Sequence, residues 1–86
     1  MKLTFTCDAW EQHSHWQDTD RATLRKIGRL IGECLRHPFE GTGKPEPLRG
    51  DVAGYWSRRI DREHRLVYRV TEDTLEIVLC GYRYAR

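Results

Sequence analysis

Glu46 stands between two prolines in Lys44-Pro45-Glu46-Pro47, with Arg49 close behind. The prolines hold the backbone extended and limit where the carboxylate can point. A glutamate kept rigid in a basic loop is what a general base needs. An exposed loop acid is the other reading of the same residues. A second chemical feature runs from Tyr55 to Arg69, where Arg58, Arg59, Arg62, Arg65 and Arg69 are interleaved with apolar and aromatic side chains. Guanidinium groups beside aromatic rings on a sheet suit phosphates and bases. The same alternation also describes a half-buried antiparallel sheet whose arginines only keep it soluble. His13 and His15 invite a metal, but an i, i+2 pair on a helix points to different faces and no third ligand is near.

The elements that must position these groups are readable in turn. Residues 2–6 alternate polar and apolar and predict a short strand. Asp8, with Glu11 three residues on, predicts the N-cap of a first helix of about three turns. Its tryptophans, Trp10 and Trp16, are expected in the core. Asp18-Thr19-Asp20 interrupts that pattern and supplies a second N-cap. Leu24, Ile27, Leu30, Ile31, Cys34 and Leu35 then recur at i+3 and i+4, predicting an amphipathic helix that ends before Pro38. Its outer face is basic and suits RNA or a protein partner, with a plain solvated face as the default reading. Residues 37–50 read as a Pro/Gly-rich loop anchored by Phe39 and Leu48.

The hairpin follows. Tyr55, Ser57 and Arg59 share one face of its first strand, and Trp56, Arg58 and Ile60 the other. On its second strand Leu66, Tyr68 and Val70 oppose Arg65, Val67, Arg69 and Thr71. A turn at residues 71–74 leads to a last, more apolar strand over 75–84. The expected fold is α+β: two N-terminal helices on a small, mainly antiparallel sheet, in the order β-α-α-β-β-β, with the first strand on an edge.

The whole chain of 86 residues is short enough for one domain, 1–86, and short of core material, so a partner or dimer contact suits it. Its net charge of +2 is unevenly spread. Residues 1–43 are balanced, residues 44–69 carry seven basic and four acidic groups, and residues 70–86 are at −1. The positive excess falls on the loop and hairpin, which favours a polyanionic partner there. Cys7, Cys34 and Cys80 form no CxxC pair, and an odd count predicts reduced thiols in a cytoplasmic protein. No apolar run approaches the ~18 residues of a membrane helix, and residues 2–6 are too short and too mixed for a secretory signal.

Phe39-Glu40-Gly41-x-Gly43-Lys44-Pro45-Glu46-Pro47-Leu48, followed by Tyr55-Trp56-Ser57-Arg58-Arg59-Ile60 and Glu63-His64-Arg65-Leu66-Val67-Tyr68, closely resembles the YoeB (Txe-type) toxins of the RelE superfamily. The likeness runs end to end, from Met-Lys-Leu through Trp16-Gln17-x-Thr19-Asp20 to Cys80-x-Tyr82-x-Tyr84. It implies a microbial-RNase-like fold and a ribosome-dependent mRNA endonuclease that works without metal or cofactor. It also implies a YefM-like antitoxin as partner, with operator DNA reached through that antitoxin, and a possible homodimer. By position, Glu46 matches the family's general base, Arg65 its phosphate-binding arginine and Tyr84 its C-terminal tyrosine. Arg59 and Glu63 match residues that line or order the site, and Lys44 and Arg49 would touch ribosomal or messenger RNA.

One departure stands out. Family members usually end His-Tyr, the histidine acting as general acid, whereas this chain reads Arg83-Tyr84 and continues to Ala85-Arg86. An arginine is a poor proton donor but can stabilise charge on a phosphorane or a leaving oxygen. Tyr84, His64 or water is left to supply the proton. Two further readings are a catalytically weak toxin that blocks the ribosomal A site, and an antitoxin-binding co-repressor.

Overall fold

The computed structural model describes residues 1–81. Its first strand, β1 (Lys2–Phe5), ends where Thr6 turns the chain into helix α1 (Cys7–Thr19). The Thr6 amide donates to Ile77 O at 3.0 Å, and its hydroxyl accepts from Ala9 N at 3.1 Å. Thr6, not Asp8, is therefore the N-cap. It already carries the hydroxyl that a cap requires and is pinned to the sheet by its own amide. Asp8 falls in the first turn instead, where its charge complements the helix dipole. Asp20 caps helix α2 (Arg21–Arg36) as expected, accepting from Thr23 N at 3.1 Å.

The loop that follows contains an unpredicted two-residue strand, β2 (Glu46–Pro47), and a 3₁₀ turn at Gly50–Val52. Then come β3 (Trp56–Arg59), β4 (Arg65–Thr71) and β5 (Thr74–Cys80). The sheet order is β1-β5-β4-β3-β2, with β1 parallel to β5 and every other pair antiparallel. Sequence periodicity hides β2 because two residues flanked by proline carry no alternation to read. Between β4 and β5 the register slips at Val67/Tyr68: Val67 faces Leu79 but Tyr68 faces Ile77, so Val78 is a bulge.

Both helices lie on one face of the sheet. Ala9 of α1 and Ile27, Leu30, Ile31 and Cys34 of α2 meet Ile60, Leu66, Tyr68, Leu75, Ile77 and Cys80. Full burial of each such aliphatic side chain is worth about 1.5–3 kcal/mol, which is how a small chain holds together. No helix among the described residues is long and apolar enough to cross a membrane.

The tryptophans divide. Trp16 packs against the core and donates from Nε1 to Cys80 O at 2.9 Å, so α1 secures the end of β5. Trp10, expected inside, is 54 % exposed and instead stacks on His13 at 5.3 Å. It lies one residue past buried Ala9 and so points off the seam. Burial under this stack lowers the His13 pKa below its ordinary 6.5, and its Nδ1 is buried without a hydrogen-bond partner.

His13 makes stability depend on pH. The unfolded chain takes up a proton there that the folded chain resists. The stability linked to this group is therefore complete above about pH 6.5 and falls as the pH drops through and below that value. The denaturation midpoint should fall between pH 7 and pH 5, and His13→Phe should reduce the fall. An unchanged pH difference in the variant would place the slope on other groups.

Candidate active site

Because Leu66 and Tyr68 belong to the core, strand alternation sends Arg65 and Val67 to the opposite, helix-free face. Register then selects their companions. Glu46 pairs with Ser57, Ser57 with Val67, and Arg59 with Arg65. Glu46, Ser57, Arg59 and Arg65 thus meet on one open face, drawn from three adjacent strands. The Arg65 guanidinium lies 3.8 Å from the Glu46 carboxylate and 3.5 Å from Ser57 Oγ. At that separation, and with the Glu46 side chain 62 % exposed, the ion pair is loose and stabilises the fold little.

Arg59 and Arg65 are direct cross-strand neighbours. Like charges placed opposite one another cost about 0.2–1 kcal/mol. An anion between them would relieve that repulsion. Arg69, on the same face, is already matched: its Nε donates to Glu76 at 2.7 Å and its guanidinium lies 5.3 Å from the Tyr55 ring centre. Arg59 and Arg65 are therefore better placed than Arg69 to hold a phosphate.

Arg58 corrects the expectation of a solvent-facing row of arginines. It is fully buried, on the helix-covered face. Its Nε donates to the Tyr68 hydroxyl at 3.1 Å, Nη1 to Glu33 and Thr42 O, and Nη2 to His37 O and Glu40 O. All five guanidinium donors are engaged, leaving none for RNA. Burial pushes the Tyr68 hydroxyl up to about 12, so it stays protonated and donates to Pro38 O at 2.6 Å. Glu33 also accepts from the Thr42 amide at 2.6 Å, and this bond leads the effects that lower its pKa. The alternation of Tyr55–Ile60 marks Arg58's face correctly, and the acceptors that α2 and the loop bring to that face account for its burial.

The loop meets these partners through unusual backbone. Gly41 and Gly43 have φ of +120° and +86°, and a Cβ on Gly41 would lie 2.5 Å from Glu33 Oε1. Gly43 O accepts from Arg59 N at 2.8 Å. Lys44 follows at φ 52°, a left-handed conformation uncommon outside glycine, and stays exposed. Pro45 then leads into Glu46 and β2.

Arg49 is exposed at the start of the 3₁₀ turn. Glu63 is exposed in the β3–β4 turn, where its amide and that of His64 both donate to Asp61 Oδ1 at 2.8 Å. His64 is half-buried, with Nδ1 3.0 Å from Asp61 and its ring edge-on to Trp16 at 5.0 Å. It thus packs toward α1 rather than toward Glu46. Burial opposes the Asp61 charge, but the His64 ring and these amides outweigh it and hold its pKa low. Arg83 and Tyr84 lie outside the described residues. Among the described residues no group of three or more His, Cys, Asp or Glu could hold a metal ion. The sequence pattern did not single out Ser57, although it is 2 % exposed and sits between Glu46 and Val67. Its place opposite Glu46 is the signal, and that needs β2.

A family model described as YoeB-like toxin of bacterial type II toxin–antitoxin system matches residues 5–84. The toxin YoeB of Streptomyces coelicolor is 55 % identical over 84 residues, covering 98 % of this chain and 100 % of that one. The solved YoeB/ParE toxin from Agrobacterium tumefaciens superposes with a TM-score of 0.95 at 51 % identity, over 98 % of this chain and 100 % of that one. A YoeB–YefM complex from Staphylococcus aureus gives 0.89 at 39 % identity and a YoeB dimer from the same organism 0.90 at 40 %, each over 98 % of both chains. With both the family model and these relatives spanning nearly all of its length, the chain belongs to the YoeB-like toxins of bacterial type II toxin–antitoxin systems.

Proposed function

We propose that this toxin is a ribosome-dependent mRNA endoribonuclease that cuts translated message in the ribosomal A site. The observation that carries the reading is the loose Glu46–Arg65 pair on the open face, with Arg59 directly across from Arg65. Glu46 takes the proton from an RNA 2′-OH, and the 2′ oxygen attacks the adjacent phosphorus. The bond from phosphorus to the 5′ oxygen breaks in line, leaving a 2′,3′-cyclic phosphate and a 5′-OH. Arg65 and Arg59 stabilise the non-bridging oxygens as charge develops, a role that family position gives to Arg83 as well. The leaving 5′ oxygen takes its proton from Tyr84 or water. Lys44 and Arg49, both exposed, hold flanking phosphates.

A YefM-like antitoxin binds and neutralises the toxin and links it to operator DNA; the YoeB–YefM complex of the staphylococcal relative supports the binding. Homodimerisation has the same kind of support. The experiment is primer extension on a translated message with and without the toxin, mapping new 5′ ends against the A site. A message with a 2′-deoxy nucleotide at the scissile position should resist cleavage there, and an unchanged rate would sink the mechanism. Arg83 in the position of the usual histidine favours one alternative, occupation of the A site without cutting. In that case toxicity survives Glu46→Ala with the message intact.

A further inference from the structure

The buried Arg58 has no access to substrate, yet its partners all lie on or beside the loop that delivers Glu46. We infer that Arg58 is a positioning residue, whose guanidinium holds loop 37–43 on the sheet and so seats Glu46 against Ser57 and Arg65. This inference rests on the nuclease role proposed for Glu46.

Arg58 reaches three loop carbonyls, those of His37, Glu40 and Thr42, at 2.5, 2.8 and 3.1 Å. Tyr68, which accepts from Arg58, binds a fourth at Pro38. Glu33 grips the same loop through the Thr42 amide and hydroxyl while bonding Arg58. A planar fork can satisfy such a set of acceptors only in one loop conformation. Downstream, Gly43 O is held by the amide of Arg59, the residue after Arg58. Between this last tie and Glu46 lie only Lys44, in its left-handed conformation, and Pro45, whose ring fixes φ. The backbone from the hub to Glu46 therefore has little freedom. Adjacent arginines divide the labour: Arg59 faces outward beside Arg65, and Arg58 faces inward and holds the loop.

The test uses Arg58→Lys, which keeps the charge but loses the fork, with Tyr68→Phe as a milder second variant. Cleavage on programmed ribosomes is measured for both, in the parent and in a Glu46→Ala background. Amide exchange is followed at Thr42, Leu48 and Arg59 and in β4 and β5. In the Glu46 background Arg58→Lys should lower kcat by up to about a hundredfold, as small displacements of a catalytic group do, with KM within about twofold. In the Glu46→Ala background it should change the rate less than about threefold, because the group being positioned is gone. The three amides near the loop should exchange roughly tenfold faster or more while β4 and β5 keep their protection, a local rather than global loosening. Tyr68→Phe should give the same pattern with smaller amplitude.

Equal losses in both backgrounds would overturn the inference, as would wild-type protection at Thr42, Leu48 and Arg59 in folded Arg58→Lys. Should Arg58→Lys not fold, the same criteria apply to Tyr68→Phe. A parent toxin that leaves translated message intact would instead defeat the nuclease reading. The exchange comparison then decides alone whether Arg58 holds the loop.

Discussion

Replacing Glu46 by glutamine is expected to slow cleavage of translated message by about 10²–10⁴-fold, the range for losing a general base. The substitution keeps size and backbone demands, and Glu46 is exposed with one loose ion partner among the described residues, so the fold should be untouched. Arg65→Met should cost about 10²–10³-fold through lost stabilisation of the charged transition state. The double variant should lose far less than the product of the two, because the groups act as a unit on one phosphate. Single-turnover cleavage on programmed ribosomes, with circular dichroism as the check on folding, measures all three. A glutamine variant that cuts within a few-fold of the parent would move the base elsewhere.

The other large effect is on stability and falls on the neighbouring arginines unequally. Arg58→Met removes the fully buried member of its ion pair with the partly exposed Glu33 and strands loop carbonyls at His37, Glu40 and Thr42. Such losses cost about 3–5 kcal/mol. In a domain of this size each kcal/mol shifts the melting temperature by about 4–8 °C, so Tm should fall by more than ten degrees. Arg59→Met, one residue along, removes an exposed cation facing another cation. It should change stability by no more than about 0.5 kcal/mol, and Tm should hold or rise slightly. Thermal unfolding of the two variants side by side checks both. Similar melting temperatures would mean that the buried network contributes little.

Much of this architecture is legible in the residues. The spacing of Ile27, Leu30, Ile31 and Cys34 announces α2 and the face it buries, and Asp20 and Pro38 bound it at either end. Alternation through the hairpin assigns Arg65 to the face opposite Leu66 correctly. It also places Arg58 beside Trp56 and Ile60, but periodicity is silent on whether a charged residue on the core face finds enough acceptors to be buried. Those acceptors come from main-chain carbonyls of a loop and from Glu33, more than twenty residues away, and carbonyls leave no mark on side-chain patterns. The Glu46–Ser57 pairing is hidden for a related reason. It depends on a strand too short to show a period, created by tertiary contact rather than by local preference. Thr6 and Asp8 illustrate a closer contest: both can cap a helix, and the amide bond from Thr6 to Ile77 decides it.

The parallel pairing of β1 with β5 bears on how the toxin is born. Residues 2–5 are made well before residues 74–77, which are their neighbours in the sheet among the described residues. Until residues 74–77 have been made, the amphipathic α2 has no completed sheet to cover and β1 cannot pair. Such long-range closure makes folding slow relative to local hairpin formation. The β3–β4 hairpin can bring Arg59 and Arg65 together early, but the sheet that supports them closes only with β5. A nascent toxin is thus structurally incomplete until β5 is made, and a chain cut short before residue 74 lacks the strand that joins β1 to β4.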